Sequence, residues 1–408
     1  MMDDAVNNTL GLTTGSHPSA RKIPRAFQFV FVRGAMIFLP ICLALAALEI
    51  ALRFFGPFLP GSYATNLYLE PHPIYGFFHV PNTTGWIRTP EFTARVDINS
   101  LGLREREFGY ERLGNARRVL VLGDSFVEGA QVSVESLVTR QLEYLLAQAG
   151  GESYQVINGG VGAWGTAQEY LQLKTEGPLY HPDVVVVVFY TGNDVSNNGV
   201  RIKRNTGTLR KPYFDVGSDG SLKLLAYRPK AVPDESATDR LRRGSLLFGV
   251  FDSTVLRGAH VDDGDSAEEQ LVRYELPVFS TRSNQAWDDA WRVTEGLLSA
   301  LHDEAVASGV TFLLVNVPTK WEVYPQDWEG LRQQFGLNAE AWDLDGPSQR
   351  LAELTTRNEI PYVDLREPLA KAKGGERLYF QHDIHWTPAG HATAARAIAE
   401  RLLGDGIN

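Results

Sequence analysis

Apolar residues fall into three patterns along this chain, and each predicts a different kind of element. The first is a continuous run, Gly34 to Leu52, interrupted only by Glu49. A helix needs ~20 mostly apolar residues to cross a bilayer, so this run predicts a transmembrane helix. Arg21, Lys22, Arg25 and Arg33 precede it, which keeps the N-terminus in the cytoplasm and sends the rest of the chain outside. Ala44-Leu45-Ala46 also resembles a signal-peptide cleavage site. The basic region ahead of the run is long for a signal peptide, so an uncleaved signal anchor over 34–55 is the reading adopted, with 1–33 as a polar, disordered cytoplasmic tail. Either reading exports the remainder.

The second pattern is short alternation. Residues 56–115 are rich in Pro, Gly and aromatic residues, with alternating runs such as Phe92 to Ile98, and predict a stalk followed by a small β-rich lead-in. The third begins near 116, where short apolar runs alternate with stretches of helical spacing. Ala116 to Gly123, Tyr154 to Gly159, a stretch within Pro182 to Asp194, Val310 to Pro318 and Ile360 to Leu365 read as strands. The five consecutive valines at 184–188 fit a strand buried on both faces of a parallel sheet. Helical spacing separates these runs, over 133–149, 166–176, 286–308, 347–358 and from Pro388 to about Leu403. Strand–helix alternation predicts an α/β fold with a parallel sheet covered on both sides, over 116–405. The rhythm breaks at about 197–285, a polar insertion expected to cap the strand ends.

Composition narrows the chemistry. The formal net charge of −10 argues against a nucleic-acid binder, which needs a basic face. Cys42 is the one cysteine and lies in the apolar run, so an intrachain disulfide, a thiol nucleophile and a cysteine-based zinc site are excluded.

Ligands of open parallel sheets bind beyond the carboxyl ends of the strands. Four groups follow strand ends here: Gly123-Asp124-Ser125, Asn158-Gly159-Gly160, Gly192-Asn193-Asp194 and His382-Asp383-Ile384-His385. Ser125 is the candidate nucleophile, since a hydroxyl attacks once a neighbouring base takes its proton. His385 is that base, and Asp383, two residues earlier, can hold its other ring nitrogen and fix the tautomer. The Ser125 and Gly160 N–H groups and the Asn193 amide are candidate oxyanion donors. Taken singly, each group also suits a turn or a helix cap. A competing reading makes His382, Asp383 and His385 metal ligands, with Asp124 or Asp194 completing the set.

These four blocks, in this order, resemble the SGNH (GDSL-type) hydrolase superfamily. Gly123-Asp124-Ser125-Phe126 resembles its first block, Gly160 the glycine of the second, Gly192-Asn193-Asp194 the third, and Asp383 with His385 the last. The superfamily usually has Asp-x-x-His; Asp-Ile-His-Trp here is similar to the shorter form of the alginate-acetylation branch. Asn99 to Arg104 resembles a lead-in of anchored bacterial members. The resemblance implies a three-layer α/β/α, flavodoxin-like fold, no cofactor and no metal, and acyl-ester chemistry through an acyl-serine. The expected function is therefore an exported serine esterase acting on acyl groups, acetyl among them, of a cell-surface glycan. An O-acyltransferase on the same scaffold and a non-catalytic glycan-binding protein are the alternatives. Trp321, Tyr324, Trp328 and Trp342 suit either a carbohydrate surface or, preferably, core packing.

Overall fold

The computed structural model describes residues 25–55, 63–64, 69–112, 114–150, 153–205, 211–227, 244–252, 275–282 and 284–404, with isolated positions 238 and 241. The expected tail over 1–24, much of the stalk, and segments 228–237 and 253–274 of the insertion lie outside them. The chain divides into two units, Met1–Arg53 and Phe54–Asn408.

The first unit is represented by the helix Arg25–Phe55. Its stretch Met36–Arg53 is the one segment among the described residues long and apolar enough to cross a membrane. Met36, Ile37, Phe38 and Leu39 are exposed along it, as side chains facing lipid would be. The helix fits a single-pass anchor, and it starts nine residues before the apolar run because the basic flank is helical too.

In the second unit, strands β1 (Tyr63–Ala64), β2 (Leu69–His72), β3 (Gly76–His79), β4 (Thr84–Arg88) and β5 (Thr93–Asp97) form the lead-in. β2 pairs with β3, and β1, β4 and β5 form a three-stranded antiparallel sheet. The main sheet contains β6 (Arg117–Gly123), β7 (Tyr154–Asn158), β8 (Val184–Tyr190), β11 (Thr311–Val317) and β12 (Tyr362–Asp364), and a small hairpin from the insertion supplies β9 (Phe214–Val216) and β10 (Leu222–Leu224). All main-sheet pairings are parallel, in the order β12-β11-β8-β6-β7. Renumbered within the domain this is 2-1-3-4-5 read from β7, the flavodoxin-like order, whose switch point lies between β6 and β8.

The valine run explains the layers. Successive side chains on a strand point to opposite faces. Val184, Val186 and Val188 pack with Val119, Val121, Leu142 and Ile398 on one face. Val185 and Val187 pack with Leu120, Leu122, Leu298 and Leu301 on the other. Helices Val138–Gly150 and Pro388–Gly404 cover the first face, and Gln285–Ala307 with Gly346–Arg357 the second. All five valines are fully buried, and each contributes about 1.5–3 kcal/mol relative to exposure.

The hairpin of the insertion does not lie over the strand ends. The β9–β10 hairpin packs through Phe214, Val216 and Leu222 against Val293 and Leu297 of the helix layer, because its apolar face has a helix stripe to bury. Other described parts of the insertion do reach the strand ends: Lys211 Nζ donates to the Ala163 carbonyl, and Glu275 lies close enough for its charge to act on His385. The aromatic residues at 321–342 are core: Trp321 and Tyr324 are buried, and Trp328 packs between Trp321 and Trp342.

Candidate active site

β6 delivers the nucleophile block. Its last residue, Gly123, sits where an added Cβ would meet Val127 Cγ2 at 2.5 Å and the Val188 carbonyl at 3.0 Å, so only glycine lets the chain turn this tightly. Asp124 caps the short helix Ser125–Glu128, its carboxylate accepting the Phe126 N–H at 2.9 Å. Ser125 is therefore the first residue of a helix just past a strand end. It is partly exposed while Asp124, Phe126 and Val127 are buried.

The last block arrives on the loop between β12 and the final helix. The Phe380 N–H donates to the His385 carbonyl at 3.0 Å, and Tyr379 bridges Trp386, so 380–385 forms a closed turn. Inside it Asp383 Oδ1 accepts the His385 backbone N–H at 2.9 Å and lies 2.5 Å from His385 Nδ1. The two-residue spacing works because the carboxylate folds back over its own turn. His385 Nε2 lies 2.7 Å from Ser125 Oγ. Phe126 packs on the imidazole at 5.1 Å, and the Gln131 amide also reaches Nδ1, at 3.0 Å. His385 keeps 15% of its side-chain surface and Asp383 27%, enough for a substrate to approach.

Electrostatics favour a base that holds its proton well. Burial pulls the His385 pKa down, but the hydrogen bond and charge of Asp383, then Asp124 and Glu275, raise it overall. Burial pushes Asp383 up, and its partnership with His385 more than reverses this, leaving it below the usual carboxylate range. Desolvation raises Asp124 and lifts Glu275 to about 7. His391, buried six residues beyond His385, shows the contrast: burial, with the charges of Arg104 and His385 nearby, lowers it to about 3.

β7 and β8 bring the remaining blocks to the same edge. Asn193 faces the Asp124 carboxyl across the switch point and lowers its pKa. The Ser125 N–H has no acceptor among the described residues, leaving it available to an oxyanion. Gly160 is placed otherwise than the sequence suggested. Its N–H donates to Asn158 Oδ1 at 3.0 Å, and it is wedged under the nucleophile helix, where a Cβ would lie 2.3 Å from Glu128 N. The stretch of this loop that borders Ser125 is Gly162–Ala163: a Cβ on Gly162 would stand 3.9 Å from Ser125 Cβ. Ala163 is exposed, carries φ +63°, and has no acceptor for its N–H among the described residues. Lys211 Nζ donates to the Ala163 carbonyl at 3.3 Å. A non-glycine residue in the left-handed region costs of order 1–3 kcal/mol and persists where its surroundings hold it.

The metal arrangement does not assemble. Among the described residues no three His, Cys, Asp or Glu side chains gather as a metal-holding group. His382 is exposed, outside the Ser125–His385–Asp383 line.

Sequence reasoning missed several supports. Arg104, the end of the Asn99–Arg104 stretch, is fully buried and donates to the carbonyls of Glu128, Gly129 and Val132 behind the nucleophile helix. Glu128 in turn pairs with His79 of β3 at 3.3 Å. A buried-arginine role leaves no local spacing signal; the resemblance of Asn99 to Arg104 to a lead-in of anchored members pointed to the stretch but not to this role.

Residues 280–407 match the family described as SGNH hydrolase-like domain, acetyltransferase AlgX. The probable alginate O-acetylase AlgJ of Azotobacter vinelandii is 24% identical over 113 residues, 28% of this chain and 27% of that protein. AlgJ of Pseudomonas fluorescens is 27% identical over 107 residues, 26% of this chain and 25% of that one. Over residues 280–407 this chain is similar to SGNH proteins of AlgX/AlgJ type. It spans about a quarter of the length of these AlgJ relatives. Among solved structures, TesA aligns loosely, with TM-score 0.36 and 14% identity over 70% of this chain and 98% of TesA. The AlgX match includes the Asp383–His385 turn and the helix after it, and the nucleophile block lies ahead of the matched residues.

Proposed function

We propose that this SGNH protein is an enzyme that moves acetyl groups to a hydroxyl of an exported, acidic polysaccharide, through an acetyl-Ser125 intermediate. The 2.7 Å approach of Ser125 Oγ to His385 Nε2, with Asp383 on Nδ1, carries this reading. Ser125 Oγ attacks the acyl carbonyl and gives its proton to Nε2. Asp383 stabilises the imidazolium. The Ser125 and Ala163 N–H groups and the Asn193 amide receive the oxyanion. Collapse breaks the ester bond, and His385 returns the proton to the departing alcohol. A second hydroxyl then gives its proton to His385, attacks the acetyl-serine, and Ser125 recovers the proton as it leaves.

Transfer is placed ahead of hydrolysis, reversing the order drawn from the sequence, because the AlgX family is described as an acetyltransferase and the AlgJ relatives as O-acetylases. Hydrolysis differs only in that water takes the acceptor's place, and the same residues serve it. The N-terminal helix would anchor the domain on the extracytoplasmic side.

Incubating the full chain with acetyl-labelled p-nitrophenyl acetate and an oligouronate acceptor separates the two. Label on the sugar supports transfer. Label found only in free acetate, at every acceptor concentration, rejects it in favour of the esterase.

A further inference from the structure

Within the 380–385 turn the Phe380 N–H meets the His385 carbonyl, and Asp383 Oδ1 meets the His385 backbone and ring. None of these contacts engages the backbone N–H groups of Gln381, His382 and Asp383, and Gln381 and His382 are exposed. Their hold comes from a residue almost three hundred positions earlier. Glu91, at the tip of the β4–β5 hairpin, accepts three successive backbone N–H groups: Gln381 at 2.6 Å on Oε1, and His382 and Asp383 at 2.9 Å on Oε2. Hydrogen bonds to a charged acceptor are roughly twice as strong as neutral ones, and these fix the backbone up to Asp383 itself. The hairpin tip is built to aim that carboxylate. Thr89 Oγ1 accepts the N–H groups of Glu91 and Phe92, both at 3.2 Å, and the Thr89 N–H donates to the Phe92 carbonyl at 2.9 Å. Phe92 meets Phe380 at 5.0 Å, and Lys320 Nζ holds the Gln381 carbonyl from the far side at 3.2 Å.

We infer that Glu91 is a positioning residue for the acyl-transfer reaction: it orients the Asp383 carboxylate through the backbone of the 381–383 turn, making the lead-in hairpin part of the active site. The inference rests on the proposed roles of Asp383 and His385. It explains why a β-rich lead-in, with no chemistry of its own, sits beside a complete α/β domain. A loop held only by its own turn would let the carboxylate wander, and a misplacement of about 1 Å near a reacting centre can cost on the order of 100-fold in rate.

The test uses the full-length chain in detergent, with Glu91→Gln as the isosteric change and Arg95→Ala as a control on the exposed face of the same hairpin. Gln offers one acceptor oxygen and sets an NH2 group against the remaining donors. Two quantities are read: kcat and KM for p-nitrophenyl acetate, and the downfield proton resonance of His385 Nδ1–H. The expected result for Glu91→Gln is a kcat lower by about 10- to 100-fold at a KM within about twofold, with the resonance weakened or lost, and a near-native Arg95→Ala. Wild-type kcat with an unchanged resonance overturns the inference. So does a decline in kcat that Arg95→Ala matches, which would mean a general loosening of the hairpin. If Glu91→Gln does not fold, Thr89→Ala, which frees the tip that aims Glu91, is read the same way. Ser125→Ala run alongside separates the two layers: retained activity there defeats the proposed nucleophile, while the resonance still judges the Glu91 contact.

Discussion

The two halves of the site are held in opposite ways. Ser125 stands on a strand end in the middle of a buried sheet, fixed by the Gly123 turn, the Asp124 cap and the valine core beneath. His385 and Asp383 stand on an irregular turn, fixed by side chains from distant parts of the chain: Glu91, Lys320 and Gln131. Nucleophile geometry is therefore a property of the fold, while base geometry depends on a few contacts that a single substitution removes. Damage to the first half should cost stability or all activity, and damage around the second should give folded proteins with graded rates.

The largest effects should come from the reacting atoms. Ser125→Ala is expected to lower turnover on the order of 10³-fold or more, and His385→Ala about as much, since groups acting as a unit are lost together. Steady-state assays on p-nitrophenyl acetate check both, and near-native turnover by either would refute its assigned role. Asp383→Asn keeps the shape of the turn but removes the charge. It should cost about 10²–10⁴-fold with a melting temperature close to wild type.

Arg104→Met breaks the other half. It strips three carbonyls behind the nucleophile helix of their donors, at a cost of about 2–4 kcal/mol, read by denaturant unfolding. An unchanged midpoint would mean that the buried guanidinium does not hold the elbow.

A smaller and sharper signal is the pH profile. His385 acts as a base only when neutral, and Asp383, Asp124 and Glu275 stabilise its charged form. Activity should therefore fall as pH drops through a value above 6.5. Glu275→Gln removes one of those charges and should move the acid limb of kcat/KM downward; an upward move contradicts the assignment. The smallest effect should be His382→Ala, below about twofold, because that position gives Glu91 only a backbone N–H.

Much of the first half was legible in the sequence. Strand ends, helix spans and the α/β layering follow from hydrophobic periodicity, and the run Val184 to Val188 alone identifies a strand buried on both faces. The Ser125, Asn193, Asp383 and His385 blocks could be placed at one sheet edge because parallel strands end together. What stayed hidden depends on contacts between segments far apart. Glu91 reads as one more surface acid, Arg104 as one more basic residue, and neither reveals that it meets backbone groups elsewhere. Gly160 was singled out because glycine lets backbone approach a ligand, yet here the close approach is to Glu128 of the protein itself. Ala163 gave no signal, since a left-handed alanine looks like any other alanine in a sequence. The hairpin Phe214–Leu224 was unreadable because its apolar face is short and matches a helix stripe some seventy residues later.

The most direct test of the account is to trap the covalent intermediate. Full-length protein mixed with p-nitrophenyl acetate, quenched in acid within the first turnovers and digested, should yield a peptide containing Ser125 heavier by one acetyl group. Asp383→Asn should acquire it slowly and Ser125→Ala not at all. Acetyl appearing on another residue at the same rate in Ser125→Ala, or turnover with no acyl-enzyme at any quench time, would contradict the claim that Ser125 carries the acyl group.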